Sequence, residues 1–144
     1  MVIMSVDFGR ARTGIAVCDP SELLASPVTV INEKYVPHLI QNVASLAEEK
    51  KAELIVVGLP ANMDGSEGES AQNARRFAES LGEVCRVPVE MLDERCTTME
   101  AHVLLNATNT RGKKRKAVID AVSAVIILEN YLALRAAKRK ASGA

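Results

Sequence analysis

Apolar positions along this chain follow two periods, and the switches between them mark its elements. Val2, Ile3, Met4 and Val6 form an apolar run entering Asp7, and Gly14 to Cys18 form another, with Gly9 and Gly14 punctuating the connection. That pattern predicts a β-hairpin. Pro27 to Ile31 predicts a third strand, and no crossover helix fits among these three, so antiparallel pairing is expected. The period then changes: Leu39, Ile40, Val43, Leu46 and Ala47 recur at helical spacing up to Lys50 and Lys51, whose charges suit a helix C-terminus. Leu54-Ile55-Val56-Val57 is wholly apolar and ends at Gly58 and Pro60, the form of a central parallel strand covered on both faces. Ala71, Ala74, Phe77, Ala78 and Leu81 make a second helical stripe, expected to close at Gly82. Val87 to Leu92 predicts a fifth strand ending on Asp93 and Glu94. Thr97 and Glu100 form a capping box that starts a short helix. Asn109 to Lys116, with Gly112, reads as a loop, and a last helix is expected from about Lys114 to Lys138.

The order implies an α/β fold: a mixed five-stranded sheet, in which an antiparallel three-strand unit is joined to parallel strands, with helices on both faces. A length of 144 residues fits one domain, expected over residues 1–140, with residues 141–144 as a disordered tail.

Composition narrows the class. With 48% hydrophobic and 25% charged residues the chain can bury a core, which excludes intrinsic disorder, collagen and coiled coil. Its longest apolar stretches are far short of the roughly 20 residues that cross a membrane, and Asp7, Arg10 and Arg12 interrupt any secretory leader. A cytoplasmic location with no membrane partner is expected. Cys18, Cys85 and Cys96 lack metal-ligand spacing and an even count, and are expected to be reduced packing residues. His38 and His102 have no partner at zinc-ligand spacing.

Net charge is zero but segregated. Residues 111–144 carry nine of the eighteen Lys and Arg against Asp120 and Glu129 alone. Such asymmetry suggests a polyanion-facing surface, the alternative being a solvated helix end and frayed tail.

Three acids stand where the elements could aim them at one point. Asp7 ends the first strand, Glu94 with Asp93 beside it ends the fifth, and Asp120 lies in the last helix on a stripe with Ser123, Ala124 and Ile127. Converging carboxylates resist ionising together unless a multivalent cation neutralises them, and an all-oxygen set suits Mg²⁺ or Mn²⁺. Separately each has a plainer role: Asp7 as a turn former, Asp93 and Glu94 as a polar strand end, Asp120 paired with Lys116.

Taken together, Val6-Asp7-Phe8-Gly9-Arg10 with Arg12-Thr13-Gly14-Ile15-Ala16, Ile55-Val56-Val57-Gly58-Leu59-Pro60 followed by Asp64-Gly65, Leu92-Asp93-Glu94-Arg95 with Thr97-Thr98, and Lys116 with Ile119-Asp120-Ala121 resemble the signature blocks of the YqgF/RuvX family, in the family's order and over nearly the whole chain. Cys96 stands where many members carry Leu. The resemblance implies the RNase H-like fold and a metal-dependent nuclease that matures the 5′ end of the small-subunit ribosomal RNA precursor, with resolution of Holliday junctions as the alternative. It also implies that Asp7, Glu94 and Asp120 are the catalytic metal ligands, of the kind that hold two divalent ions about 3.5–4 Å apart on a phosphodiester. Arg10, Arg12 and Arg95 adjoin the motif acids and are expected to hold phosphate oxygens, the alternative being surface ion pairs. Arg111, Lys113, Lys114, Arg115 and Lys116 are expected to clamp the backbone of precursor rRNA or branched DNA without sequence preference. A resolvase would need two active sites and so a homodimer, whereas end trimming needs one. Two rivals remain: an actin-like or sugar-kinase ATPase, which would need a second domain to enclose its nucleotide, and a noncatalytic nucleic-acid-binding module, which would not need all three acids.

Overall fold

The computed structural model describes residues 1–9, 11–60, 68–93 and 112–141, the last stretch with side chains from 122 to 140. Its elements run β1 (Ile3–Asp7), β2 (Arg12–Cys18), β3 (Ala25–Asn32), α1 (Val36–Glu49), β4 (Leu54–Leu59), α2 (Glu69–Val84), β5 (Val89–Asp93) and α3 (Gly112–Ala141). The five strands form one sheet in the order β3-β2-β1-β4-β5. Pairing is antiparallel for β1–β2 and β2–β3, and parallel for β1–β4 and β4–β5. This is the mixed sheet expected from the order of apolar runs.

Strand alternation divides the core in two. Met4, Val6, Ile15, Ile55 and Val57 face Leu39 and Val43 of α1 and Phe77 and Leu81 of α2. Ile3, Ala16, Leu54, Val56 and Leu92 face Ala124, Ile127 and Leu128 of α3. β4 is buried along its whole length because both of these layers cover it. Each fully buried Leu, Ile or Phe in these layers contributes roughly 1.5–3 kcal/mol of transfer free energy.

Helix ends depart from the expected positions. α2 does not stop at Gly82 but continues to Val84, with the Cys85 N–H donating to the Leu81 carbonyl at 2.9 Å. An interior glycine costs about 1 kcal/mol, and the packing of Cys85 and Val87 against the core outweighs it. α3 starts at Gly112, so Lys113, Lys114, Arg115 and Lys116 lie in its first turns and not in a loop. Lys and Arg are strong helix formers, and that propensity exceeds the few tenths of a kcal/mol of like-charge repulsion. Ala141, expected in the tail, is the last residue of α3. The short helix expected after Thr97 lies outside the described residues. β3 begins before Pro27, at Ala25; as an edge strand it tolerates the missing proline N–H, and the register slips there so that Ile15 pairs with Thr29 and Ala16 with Pro27.

The turn between β2 and β3 anchors the far end of α3. Asp19 accepts the N–H groups of Leu23 and Leu24 at 2.8 and 2.9 Å and the Ser21 hydroxyl, and these bonds hold its carboxyl down to about 2. The turn forces Glu22 into the left-handed region (φ 60°). Its carboxylate accepts from Arg135 Nε at 2.7 Å, Arg139 Nη2 at 2.5 Å and the Met1 ammonium at 3.0 Å. The Arg135 hydrogen bond is the main cause that brings the Glu22 pKa down to about 2; the ammonium adds to it and burial opposes it. One turn earlier the Tyr131 hydroxyl donates to the Glu90 carboxylate. Burial, and then that bond, push the phenol up to about 12. No helix among the described residues is long and apolar enough to cross a membrane.

Candidate active site

Asp7 is the last residue of β1, beside Gly14 of β2. The hairpin that presents it is possible only with glycine two residues later. A Cβ on Gly9 would lie 2.3 Å from the Arg12 carbonyl oxygen, a backbone atom that cannot yield without opening the turn. The Asp-x-Gly spacing is thus a steric requirement of the chain reversal as well as a motif.

The face that Asp7 occupies follows from the strand. Ile3 packs under α3, and Ser5, two residues on, donates its buried hydroxyl to the Ala124 carbonyl of α3 at 2.6 Å. Period-two alternation therefore puts Asp7 on the α3 side, half-buried, just past that hydrogen bond. Arg12 shares this side: it lies two residues before Gly14, the partner of Asp7, on a strand whose Ala16 is buried under α3.

The axis of α3 runs against β1. Its C-terminal turns meet Glu22 and Met1 at the amino end of the strand, and Ala124 meets Ser5 midway. The turn preceding Ala124 contains position 120, and the helix rises about 6 Å over four residues, close to the advance of two strand residues from Ser5 to Asp7. The helix backbone at Asp120 accordingly stands level with the carboxyl end of β1.

β5 settles which side Asp93 takes. Glu90 bonds Tyr131 of α3 and Leu92 packs under α3, whereas Val89 and Met91 pack on the α1–α2 layer. Asp93 pairs with Leu59 and falls with Val89 and Met91, on the side of the sheet opposite Asp7.

Among the sequence-derived candidates, Asp7 and Arg12 are thus brought to one end and one face of the sheet. Lys113, Lys114, Arg115, Lys116 and Asp120 are placed on the first turns of α3 by their backbone. Glu94, Arg10, Arg95 and Arg111 lie outside the described residues. No group of three His, Cys, Asp or Glu side chains that could hold a metal assembles among the described residues. The charge segregation read from the sequence divides in two here, since Arg135 and Arg139 are spent on Glu22 at the other end of the sheet.

Sequence reasoning missed three features. The buried Ser5 looks in sequence like one more small residue in an apolar run. Thr13 is also fully buried, and its hydroxyl has no hydrogen-bond partner among the described residues. Glu22 gives no local sign of its partners, of which Arg135 and Arg139 are more than a hundred residues away; only the four-residue spacing of those arginines hinted at a shared target.

Among the described residues, no thiol stands at this end. Cys18 sits at the opposite end, where its thiol bonds the Met1 carbonyl and accepts from the Ile3 N–H, and Cys85 caps α2. Burial pushes both thiols up, so neither is a ready thiolate. The side-chain donor that β1 presents at its carboxyl end is an oxygen, which suits a hard divalent cation.

Comparison with known proteins agrees with this architecture. The family model RuvX, described as Holliday junction resolvase, matches residues 1–134. A Streptomyces avermitilis protein with the provisional name pre-16S rRNA nuclease is 40% identical over 141 residues, covering 97% of this chain and 90% of its own. A Crocosphaera subtropica protein of the same name is 34% identical over 134 residues, covering 93% and 94%. Among solved structures, Thermus thermophilus RuvC superposes with a TM-score of 0.60 at 15% identity, covering 95% of this chain and 97% of that one. The fowlpox virus Holliday junction resolvase superposes at 0.54 with 11% identity, covering 92% and 98%. These two show a shared fold, a sheet of RNase H type, and the extent of the sequence matches shows that this chain belongs to the RuvX family.

Proposed function

We propose that this protein is a divalent-metal-dependent endonuclease that hydrolyses phosphodiester bonds in maturing the 5′ end of the small-subunit ribosomal RNA precursor in the cytoplasm. The observation that carries the reading is the position of Asp7: a half-buried carboxylate at the carboxyl end of the central strand, on the α3 side, level with the helix turn that contains Asp120. The names of the sequence relatives supply the substrate.

Asp7, Glu94 and Asp120 are the proposed ligands of Mg²⁺ or Mn²⁺. The placement of Asp93 with Val89 and Met91, on the side of the sheet opposite Asp7, argues against Asp93 as a ligand and leaves Glu94 as the proposed one. When bound, such ions activate a water and stabilise the leaving 3′ oxygen. The chain's own work is to hold the carboxylates. Gly9 closes the hairpin that fixes Asp7, and the Ser5–Ala124 bond sets the height of α3 against β1. Arg12 on the same face is the proposed holder of a phosphate oxygen, together with Arg10 and Arg95. Lys113 to Lys116, on the first turns of α3, with Arg111 before them, would extend that grip along the nucleic-acid backbone.

A second reading is favoured by the family description: resolution of a four-way DNA junction, which requires two active sites and hence a homodimer. Labelled rRNA precursor and four-way DNA incubated side by side with Mg²⁺ or Mn²⁺, with the mass in solution measured in parallel, separate the two. Cleavage of the precursor alone by a monomer supports the first; symmetric nicking of the junction by a dimer replaces it with the second. Cleavage of neither sinks both.

A further inference from the structure

On the α1–α2 side, immediately past Asp7, the sheet edge opens into a cleft of about 370 Å³, within the roughly 300–1,000 Å³ of small-ligand sites. Its floor is aromatic. Phe8, the residue after Asp7, stacks on the buried ring of Phe77 with centroids 4.6 Å apart and planes 16° from parallel. Lys34, just before α1, and Arg76, on α2, stand at its walls, and Val36 of α1 with Asn73 and Ser80 of α2 completes the lining.

The two cations differ from those at the other end of the molecule. Lys34 and Arg76 are exposed and make no ion pair with any described residue, whereas Arg135 and Arg139 are both bound by Glu22. Beside Lys34, the Glu33 carboxylate is turned to its own surroundings, accepting the Tyr35 N–H at 3.2 Å and lying 3.8 Å from His38. An apolar, aromatic floor between two cations that have no ion-pair partner among the described residues, with amide and hydroxyl groups along one wall, matches one ligand chemistry: a planar heterocycle with polar edges, flanked by phosphates.

We propose that this cleft holds an unpaired nucleotide of the substrate strand next to the scissile bond, its base against Phe8 and its phosphates on Lys34 and Arg76. The placement rests on the nuclease reading, since Asp7 and Phe8 are consecutive residues that send the strand to opposite sides of one sheet edge. A chain cut at Asp7 on the α3 side has only to cross that edge to enter the cleft. The enzyme would then prefer substrates with a single-stranded flank, such as an RNA end not yet trimmed, over fully paired ones.

The test is binding of a fluorescein-labelled twelve-nucleotide single-stranded RNA in EDTA, followed by anisotropy at several salt concentrations, so that the result does not depend on cleavage. For a Lys34→Ala/Arg76→Ala double variant of unchanged melting temperature, leaving two single-strand phosphates without their cations should lower the slope of log affinity against log salt by about 1.4. Phe8→Leu, which keeps the packing on Phe77 but removes the outer ring, should weaken binding about 5- to 100-fold with the slope unchanged. Unaltered slope in the double variant, or equal competition by uridine monophosphate and the oligonucleotide, overturns the proposal, the latter in favour of a free-nucleotide site. A wild-type protein that binds in this way yet cuts nothing with Mg²⁺ or Mn²⁺ would instead overturn the nuclease reading and leave the cleft standing.

Discussion

The two ends of the sheet use the same kinds of side chain to opposite effect. At the amino end of β1, one carboxylate, Glu22, is surrounded by three cations, the Met1 ammonium, Arg135 and Arg139. At the carboxyl end, Asp7 stands half-buried on the α3 side, and the cations Lys34 and Arg76 around the neighbouring cleft have no carboxylate among the described residues to answer them. A closed charge cluster holds parts together, because each of its cations is bound by one shared carboxylate within the fold. An open one is available to a ligand of opposite sign, and its excess charge stays a cost until that ligand arrives. Net charge along the sequence is thus a poor guide to a binding surface. The cation-rich last quarter of the chain divides, in the fold, between a structural clamp and the first turns of α3.

The contrast between the ends is most open to attack at Asp7. Asp7→Asn should reduce metal-dependent cleavage by about 10³-fold or more, while the melting temperature stays level or rises if Glu94 and Asp120 crowd it as proposed, because one anion of three is then removed. Full activity in a folded variant would remove Asp7 from the site. Glu22→Gln should do the reverse: a destabilisation of about 1–2 kcal/mol, between the values of exposed and buried ion pairs, with cleavage at moderate temperature retained. Since the folded Glu22 titrates well below its ordinary value, near 2, its stabilisation is complete above about pH 4.5 and is lost as pH falls from there toward 2. Denaturant titrations of wild type and Glu22→Gln should therefore converge over that acid range, and curves that stay parallel would mean the clamp contributes nothing.

A weaker effect is expected midway between the two ends. Ser5→Ala removes the buried bond to the Ala124 carbonyl and should cost about 1 kcal/mol, read as a shift of the denaturant midpoint. The salt dependence changes least. Replacing Lys113, Lys114 and Arg115 by Ala should lower the slope of log affinity for duplex or precursor RNA by roughly one unit for each phosphate no longer neutralised. Replacing Arg135 and Arg139 should leave that slope as it was, whatever it does to stability. Equal slopes for the two variants would erase the distinction between anchoring and binding cations.

What the chain revealed of itself in advance follows the same division. The apolar run Leu54 to Val57 announced a strand covered on both faces, and the alternation in β1 carried Asp7 to a strand end, because burial writes a local periodic signal. Helix ends were less legible. The close of α2 past Gly82 depended on packing by Cys85 and Val87, and the start of α3 at Gly112 on propensity overruling charge repulsion. Ser5, Thr13 and Glu22 were not legible at all, since their meaning lies in partners or surroundings supplied by distant segments. Of the site, Asp7 could be read from its spacing to Gly9, whereas the sides taken by Asp93 and Arg12 emerged only with the register.

The bond between Ser5 and Ala124 joins residues 119 positions apart, and that separation imposes an order in time. During synthesis the first strand leaves the ribosome long before the helix that will cover it. At about 5–20 residues per second, the layer formed by Ile3, Leu54 and Val56 must wait about 4–14 s after Val56 for Leu128 to emerge. Through that interval a nascent chain carries half of its future core bare, with β1 and β4 able to pair but not yet roofed. Such long-range closure slows folding and leaves apolar strands open to wrong partners. The protein should therefore lean on chaperones in the cell, and truncation anywhere before the turn of Leu128 should yield aggregates and not a smaller folded sheet.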